Sequence, residues 1–230
     1  MLSIAVLLTL NAKAGDEPKK TDLSLSVDLV TRHVWRGRFS GNSPCIESTL
    51  NFQTGKFSYG AWGSYAFDET YHEVDLYVKY DTPLFQFSVY DFYCPNTDFV
   101  NSDYFDFDSD KSVHYFDAVA KYKGCEKFPV SLMASVFFYG EYDRDVDNNQ
   151  RYSTYLEMGY SKFIAGKKVA WALGFTPFEG YYSDDMNVVN MNMTVYDKIK
   201  FSDSYSLPVR ASLSLNPDSE RVLLSLGFTI

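Results

Sequence analysis

The sequence predicts an all-β fold, a transmembrane antiparallel up-and-down β-barrel of about 12 strands. Three observations predict it. Apolar and polar residues alternate with period two from Thr21 to the end of the chain, the pattern of strands whose two faces meet different surroundings. Aromatic residues make up 18% of the chain, with 19 Tyr and 19 Phe, and they gather near the ends of the alternating segments. The polar side of the alternation carries ionisable groups at mid-strand, which a dry protein core seldom tolerates.

Composition removes the other classes. With 46% hydrophobic residues the chain can bury a core, so disorder is excluded. The balance of 21 Lys+Arg against 30 Asp+Glu, net −9, argues against nucleic acid as a partner. No run of 18 apolar residues is present to make a transmembrane helix, and three cysteines are too few for a disulfide scaffold. At the amino end, the apolar run Leu2 to Leu10 precedes Ala12 and Ala14. This is the pattern of a signal peptide over 1–14 with Gly15 as the mature start. Residues 15–230 then form a single outer-membrane barrel domain of 216 residues with charge about −10. The expected location is the outer membrane of a Gram-negative bacterium.

Twelve segments follow in order. Leu23, Leu25, Val27 and Leu29 oppose Ser24, Ser26, Asp28 and Arg32. Ile46, Leu50 and Phe52 oppose Glu47, Thr49, Asn51 and Gln53. Phe57, Tyr59, Ala61 and Tyr65 oppose Ser58, Gly60, Trp62 and Ser64. The cleanest sets Val74, Leu76, Val78 and Tyr80 against Glu73, Asp75, Tyr77 and Lys79. Phe85, Phe87 and Val89 oppose Gln86, Ser88 and Tyr90; Phe116, Ala118 and Ala120 oppose Asp117, Val119 and Lys121. Leu132, Ala134, Val136 and Phe138 oppose Met133, Ser135 and Phe137; Leu156 and Met158 oppose Tyr155, Glu157 and Gly159. Val169, Trp171 and Leu173 oppose Ala170, Ala172 and Gly174. Val189, Met191 and Met193 oppose Asn190, Asn192 and Thr194. The last two set Leu207, Val209 and Ala211 against Arg210 and Ser212, and Leu224, Leu226 and Phe228 against Ser225 and Gly227.

An even count lets a meander close, because both ends of the chain then lie on one side. Lipid demands that every backbone N–H find a partner, and a closed sheet supplies one. Rings at strand ends (Tyr65, Phe67, Tyr71, Tyr80, Phe85, Tyr93, Tyr122, Phe128, Tyr139, Tyr152, Tyr160, Tyr181, Phe201, Tyr205) belong at headgroup depth, where an apolar body and a polar tip both find partners. The last strand, carrying Phe228 and Ile230, is similar to the assembly tag of outer-membrane barrels. Connections on one side (37–44, 96–112, 140–150, 178–187) are long and acidic, with Asp98, Asp103, Asp106, Asp108, Asp110, Asp143, Asp145 and Asp147 among them. Those on the other are short and carry Lys56, Lys123, Lys127, Lys162, Lys167, Lys168 and Lys198. Long outer loops over short inner turns are the outer-membrane arrangement.

Four motifs in register carry a family resemblance. Trp35-Arg36-Gly37 ends the first segment, Pro44-Cys45-Ile46-Glu47 opens the second, Gly60-Ala61-Trp62-Gly63-Ser64 lies in the third and Glu73-Val74-Asp75-Leu76-Tyr77 in the fourth. Together they resemble the TorF-type porin family over residues 28 to 80. The resemblance implies a barrel with porin activity; Glu47 and His33 depart from the family pattern.

Ten polar-face residues are the candidates for lining a water-filled lumen: Arg32, Glu47, Glu73, Asp75, Tyr77, Lys79, Lys121, Tyr155, Glu157 and Arg210. Their field would set ion selectivity, and the bulk of Arg32, Tyr77, Tyr155, Glu157 and Arg210 would narrow the passage. The spacing Asp106-x-Asp108-x-Asp110 and Asp143-x-Asp145-x-Asp147 matches the first three ligands of a calcium loop. The required Gly is Lys111 or Asn148, so no dedicated metal site is expected, only weak divalent bridging to lipopolysaccharide. His33, His72 and His114 have no Gly-x-Ser-x-Gly step to serve, so no enzyme and no cofactor are expected. Cys45 and Cys94 both fall near the outer rim and are candidates for a disulfide.

The expected function is an outer-membrane porin-like channel for passive diffusion of small hydrophilic solutes or ions, with membrane lipid and lipopolysaccharide around it. Two alternatives stand beside it: a non-conducting barrel whose acidic loops bind at the surface, and a soluble β-barrel that binds an apolar ligand.

Overall fold

The computed structural model describes residues 20–95, 103–108 and 112–230. The signal-peptide segment and the loop residues Asp98, Asp110 and Lys111 lie outside them. Among the described residues the chain forms β1 (Thr21–Val30), β2 (His33–Trp35), β3 (Arg38–Ser40), β4 (Cys45–Thr54), β5 (Phe57–Ala66), β6 (His72–Asp81) and β7 (Phe85–Tyr93). It continues with β8 (His114–Tyr122), β9 (Val130–Tyr139), β10 (Thr154–Ile164), β11 (Lys167–Thr176), β12 (Asn187–Lys200), β13 (Ser206–Asn216) and β14 (Arg221–Thr229). β1 and β4 to β14 close into an antiparallel barrel of twelve strands, each paired with its neighbour in sequence. The ring is completed by β1 against β14 through three register pairs, Asp28 to Thr229, Leu29 to Phe228 and Val30 to Gly227. β1 pairs with β4 over ten residues, so closure is the shortest seam of the wall.

The alternation read from sequence sorts as expected between outside and inside. On β6, Val74, Leu76 and Val78 are 43–54% exposed, while Asp75 and Tyr77 between them are at 6% and 5%. The exterior is therefore an apolar band and the interior carries the polar side chains, the reverse of a soluble core. Rings gather at the short-turn end, where Phe57 packs on Tyr80 at 4.9 Å, Phe85 on Tyr122 at 5.5 Å and Phe201 on Tyr205 at 5.9 Å. This is the geometry of an interfacial girdle. Two of the expected girdle residues belong elsewhere: Tyr71 and Tyr181 turn inward and line the interior.

The turns follow local chemistry. Ala165-Gly166 joins β10 to β11 with both residues at positive φ, 49° and 79°, the two-residue turn whose twist matches that of the strands. Long connections gather at the opposite end. At that end the connection of residues 67–71 between β5 and β6 is fastened to the chain entering β4 by Asp68, which accepts hydrogen bonds from Thr70 Oγ1 at 2.7 Å and Ser43 Oγ at 2.8 Å.

The structure corrects three further expectations about the wall and its connections. Val189 does not face outward: an irregularity at Gly174/Phe175 leaves it without a register partner, and it turns inside, fully buried. Residues 37–44 are not simply an outward loop, because β2 and β3 form a hairpin within the barrel. Cys45 and Cys94 are free thiols, as is Cys125. Cys45 packs with Val30 and Ala66, whereas Cys94 packs on the aromatic cluster around Phe92 and Tyr115.

Two predictions follow from this wall. Leu76→Arg places a cation on the outward face at mid-strand and is expected to cost about 2–4 kcal/mol, read by urea unfolding in phospholipid vesicles; an unchanged midpoint would contradict an outward lipid face. The hydrogen bonds from Thr70 and Ser43 hold the Asp68 carboxyl below its ordinary range. Its fastening is thus complete above a pH of about 4 and lost as pH falls through the lowered value. At neutral pH, Asp68→Ala should speed protease cleavage between residues 41 and 44, and equal cleavage rates would show that the fastening is unimportant.

Candidate functional site

The inner hairpin organises the interior. After β1 the chain turns inward at Thr31 and Arg32, held by a hydrogen bond from Leu226 N to Thr31 Oγ1 (3.0 Å) and one from Ser225 Oγ to the Arg32 carbonyl (2.9 Å). β2 then pairs with β3 around Arg36-Gly37, with φ 48° and 75°. Glycine is at home in this region, but arginine there costs about 1–2 kcal/mol. The contacts made by the tip offset that cost.

Trp35 enters an aromatic cluster, edge-on to Phe92 at 5.7 Å and facing Phe137 at 6.2 Å and Tyr182 at 6.0 Å. Arg36 Nη2 donates to Asp117 Oδ2 at 2.7 Å, with the two side chains 8% and 0% exposed. Its Nη1 donates to Tyr182 Oη, and the guanidinium lies 4.3 Å from the Trp35 ring and 5.0 Å from that of Tyr155. A hydrogen-bonded charge pair of this kind contributes about 1.5–3 kcal/mol per bond, enough to hold the strained turn. Gly37 abuts β12 so closely that a Cβ would come within 2.0 Å of the Val189 carbonyl oxygen, and its own carbonyl accepts from Asn216 Nδ2 at 3.2 Å. Gly174 serves the same region by leaving space for the Tyr155 ring, whose hydroxyl would lie 2.1 Å from an added Cβ.

At the base of the hairpin, His33 sits between the rings of Trp62 and Tyr71, each at 5.3 Å, with Nδ1 2.8 Å from Glu47 Oε1. Glu47 also faces Arg210 at 3.6 Å, and Arg210 pairs with Asp28. This chain ties the hairpin to β1, β4 and β13. Arg32 and Arg221 each lie 5.0 Å from the Phe39 ring, and Arg38 lies 4.5 Å from that of Tyr181 while donating to its carbonyl at 2.9 Å.

Seated in this way, the hairpin borders two interior spaces. The larger, of about 930 Å³, follows the wall of β4 to β9 and contains Glu73, Asp75, Tyr77, Lys79 and Lys121. The smaller, of about 310 Å³, contains Arg32, Glu47, Arg210, Asn190, Asn192 and Thr194. Glu157 borders both. Nine of the ten residues singled out in the sequence thus sit at these two spaces. Tyr155 is placed differently, fully buried beside the hairpin tip, where it donates to Glu157 Oε2 at 2.6 Å and accepts from Asn190 Nδ2 at 3.1 Å.

Sequence reasoning passed over Trp35, Arg36, Asp117 and Tyr182 as interior residues of consequence. A signal was present: His33-Val34-Trp35 and Arg38-Phe39-Ser40 flank Arg36-Gly37, a two-residue spacing ending in Gly that reads as a hairpin. His114, one of three histidines weighed for catalysis, is buried with Nδ1 2.7 Å from Asp91 Oδ1 and Nε2 2.8 Å from the Tyr104 carbonyl, a structural arrangement. In the acidic loop after β9, Asp145 accepts from the backbone N–H groups of Asp147 and Asn149 and so shapes its own turn.

No protein-family description matches the sequence, and no curated protein matches it. Among solved structures, a KdgM porin matches with a TM-score of 0.50 at 9% identity, over 89% of this chain and 97% of that one. A KdgM porin in complex with disordered oligogalacturonate matches with a TM-score of 0.49 at 8% identity over the same shares. The chain shares the twelve-stranded barrel fold with the first of these.

The buried pair makes a clear prediction. Arg36→Met leaves the Asp117 carboxylate without its cation and is expected to cost about 3–5 kcal/mol, while Arg36→Met with Asp117→Leu recovers most of that loss. Urea titrations followed by tryptophan fluorescence measure both; a single variant as stable as the parent would remove the pair from the forces that seat the hairpin.

Proposed function

We propose that the chain is an outer-membrane channel of a Gram-negative bacterium through which small hydrophilic solutes or ions diffuse passively. The observation that carries this reading is the larger interior space. It reaches from Thr70 and Tyr181 at the long-loop end to Gln86 and Lys121 at the short-turn end, inside a ring whose outer surface is apolar. A polar passage lowers the cost of moving a hydrated solute across hydrocarbon, and it needs no bond chemistry. The hairpin sets the width of the passage, and Glu73, Asp75, Lys79, Lys121 and Glu157 along it set its field. The four motifs between residues 28 and 80 support placing the chain with the TorF-type porins. In this reading residues 1–14 direct export, and the acidic loops meet lipopolysaccharide through bridging divalent cations.

A soluble barrel holding an apolar ligand needs an apolar interior, whereas this one carries Glu73, Asp75, Lys79 and Lys121. The other alternative, a non-conducting barrel, has one observation in its favour: the hairpin lies inside the barrel with its tip buried against β8 and β12. Recording in planar bilayers separates the two. Discrete conductance steps are expected from the purified protein, with larger steps when residues 34–39 are replaced by a short Gly-Ser link. Glu157→Gln should shift the reversal potential in a salt gradient with folding intact. Silence from both the parent and the loop-replaced protein would establish a closed barrel.

A further inference from the structure

Some of the charges bordering the larger space are already matched: Arg36 by Asp117, His33 by Glu47, and Arg38 by the ring and carbonyl of Tyr181. Glu73, Asp75, Lys79 and Lys121, like Glu69 and Glu157, have no opposite charge in salt-bridge range among the described residues. Glu73 and Asp75 are hydrogen-bonded neighbours on the inner face of β6 with no cation in salt-bridge range among the described residues; Glu73 also accepts from the Tyr71 hydroxyl and meets the Cys94 thiol. Asp75 is 6% exposed, and its Oδ1 has no hydrogen-bond partner. A buried carboxylate oxygen left without a donor is costly, and a bound donor would relieve it. Further along the same face stands Lys79, and Lys121 lies on β8; neither has a carboxylate in salt-bridge range among the described residues. Asp81, the nearest acid on β6, is occupied by Lys123 at 3.1 Å and by Gln86 at 3.2 Å.

We propose that this space binds short zwitterionic peptides in extended form, with the terminal ammonium at Glu73 and Asp75 and the terminal carboxylate at Lys79 and Lys121. The inference rests on the channel reading for the solute's access to the site. Asp75 and Lys79 are four residues apart on one strand, so their Cα atoms are separated by about 14 Å. Lys79 Nζ lies 4.0 Å from the centre of the Tyr77 ring, which stands between the two ends, so the charges are closer than the Cα atoms. An extended chain advances about 3.4 Å per residue, so two to four residues span the gap. The rings of Tyr77, Tyr90 and Trp62 border the middle of the site, an amphipathic wall for peptide groups and small side chains. The 930 Å³ volume is in the range of small-ligand sites, roughly 300–1,000 Å³.

The test uses the detergent-solubilised full chain, titrated calorimetrically with tetra-alanine, with tetra-alanine acetylated or amidated at one end, and with trigalacturonate. Free tetra-alanine is expected to bind, with each cap weakening it about ten-fold. Asp75→Asn should weaken the free peptide to the level of the acetylated one and leave the acetylated peptide unchanged. Lys79→Gln should do the same for the amidated peptide, with heat-modifiable migration confirming that both variants fold. Equal binding of free and capped peptides, no peptide binding, or binding of trigalacturonate alone would overturn the inference. Conductance without peptide binding would leave the channel standing and remove the site. Peptide binding without conductance would keep the site and remove the channel.

Discussion

A strand surrounded by hydrocarbon has no water to which an unmade backbone hydrogen bond can turn. That constraint shapes this chain. Every barrel strand is paired on both sides, and the ring is completed by a seam of three register pairs between β1 and β14. Once the ring closes, the period-two pattern has one consistent arrangement, with Leu76 and its neighbours outward and Asp75 and Tyr77 inward. The interior then becomes a place where buried charges are matched by one another, by polar and aromatic side chains of the inner face, or by water and solute.

The hairpin is the clearest response to that demand. It brings one buried cation, Arg36, to one buried anion, Asp117, and surrounds the pair with rings from Trp35, Tyr155 and Tyr182. Neither charge could remain ionised alone at that depth without a penalty of several kcal/mol. The positive φ of Arg36 is thus offset by the bonds its guanidinium makes to Asp117 and Tyr182. Seated there, the hairpin divides the remaining space into a larger part along β4 to β9 and a smaller part along β11 to β14.

The wall was legible in the sequence because strand alternation is a local signal, repeated twelve times and reinforced by loop length and charge. Glu73, Asp75, Tyr77 and Lys79 could be placed inside from β6 alone. What the alternation could not convey was long-range: that Trp35 and Arg36 reach Phe137, Asp117 and Tyr182, residues 80 to about 150 positions later. Val189 shows the other limit. Period-two reading puts it outside, but one extra residue in β12 turns it in, and a bulge leaves no mark in the hydrophobic pattern. Tyr155, expected to line the lumen, lies buried beneath the hairpin, because a polar face can meet protein as well as water.

The contacts of the Arg36-Gly37 tip have a consequence for biogenesis. They come from β8, from the connection before β12, from β12 itself and from β13, all later in the chain than the hairpin. An early segment whose berth is built from late ones has nowhere to settle while the polypeptide is still partly threaded. Its docking is therefore a closing act, and an occupied bore is a physical record that the far side of the cylinder has arrived.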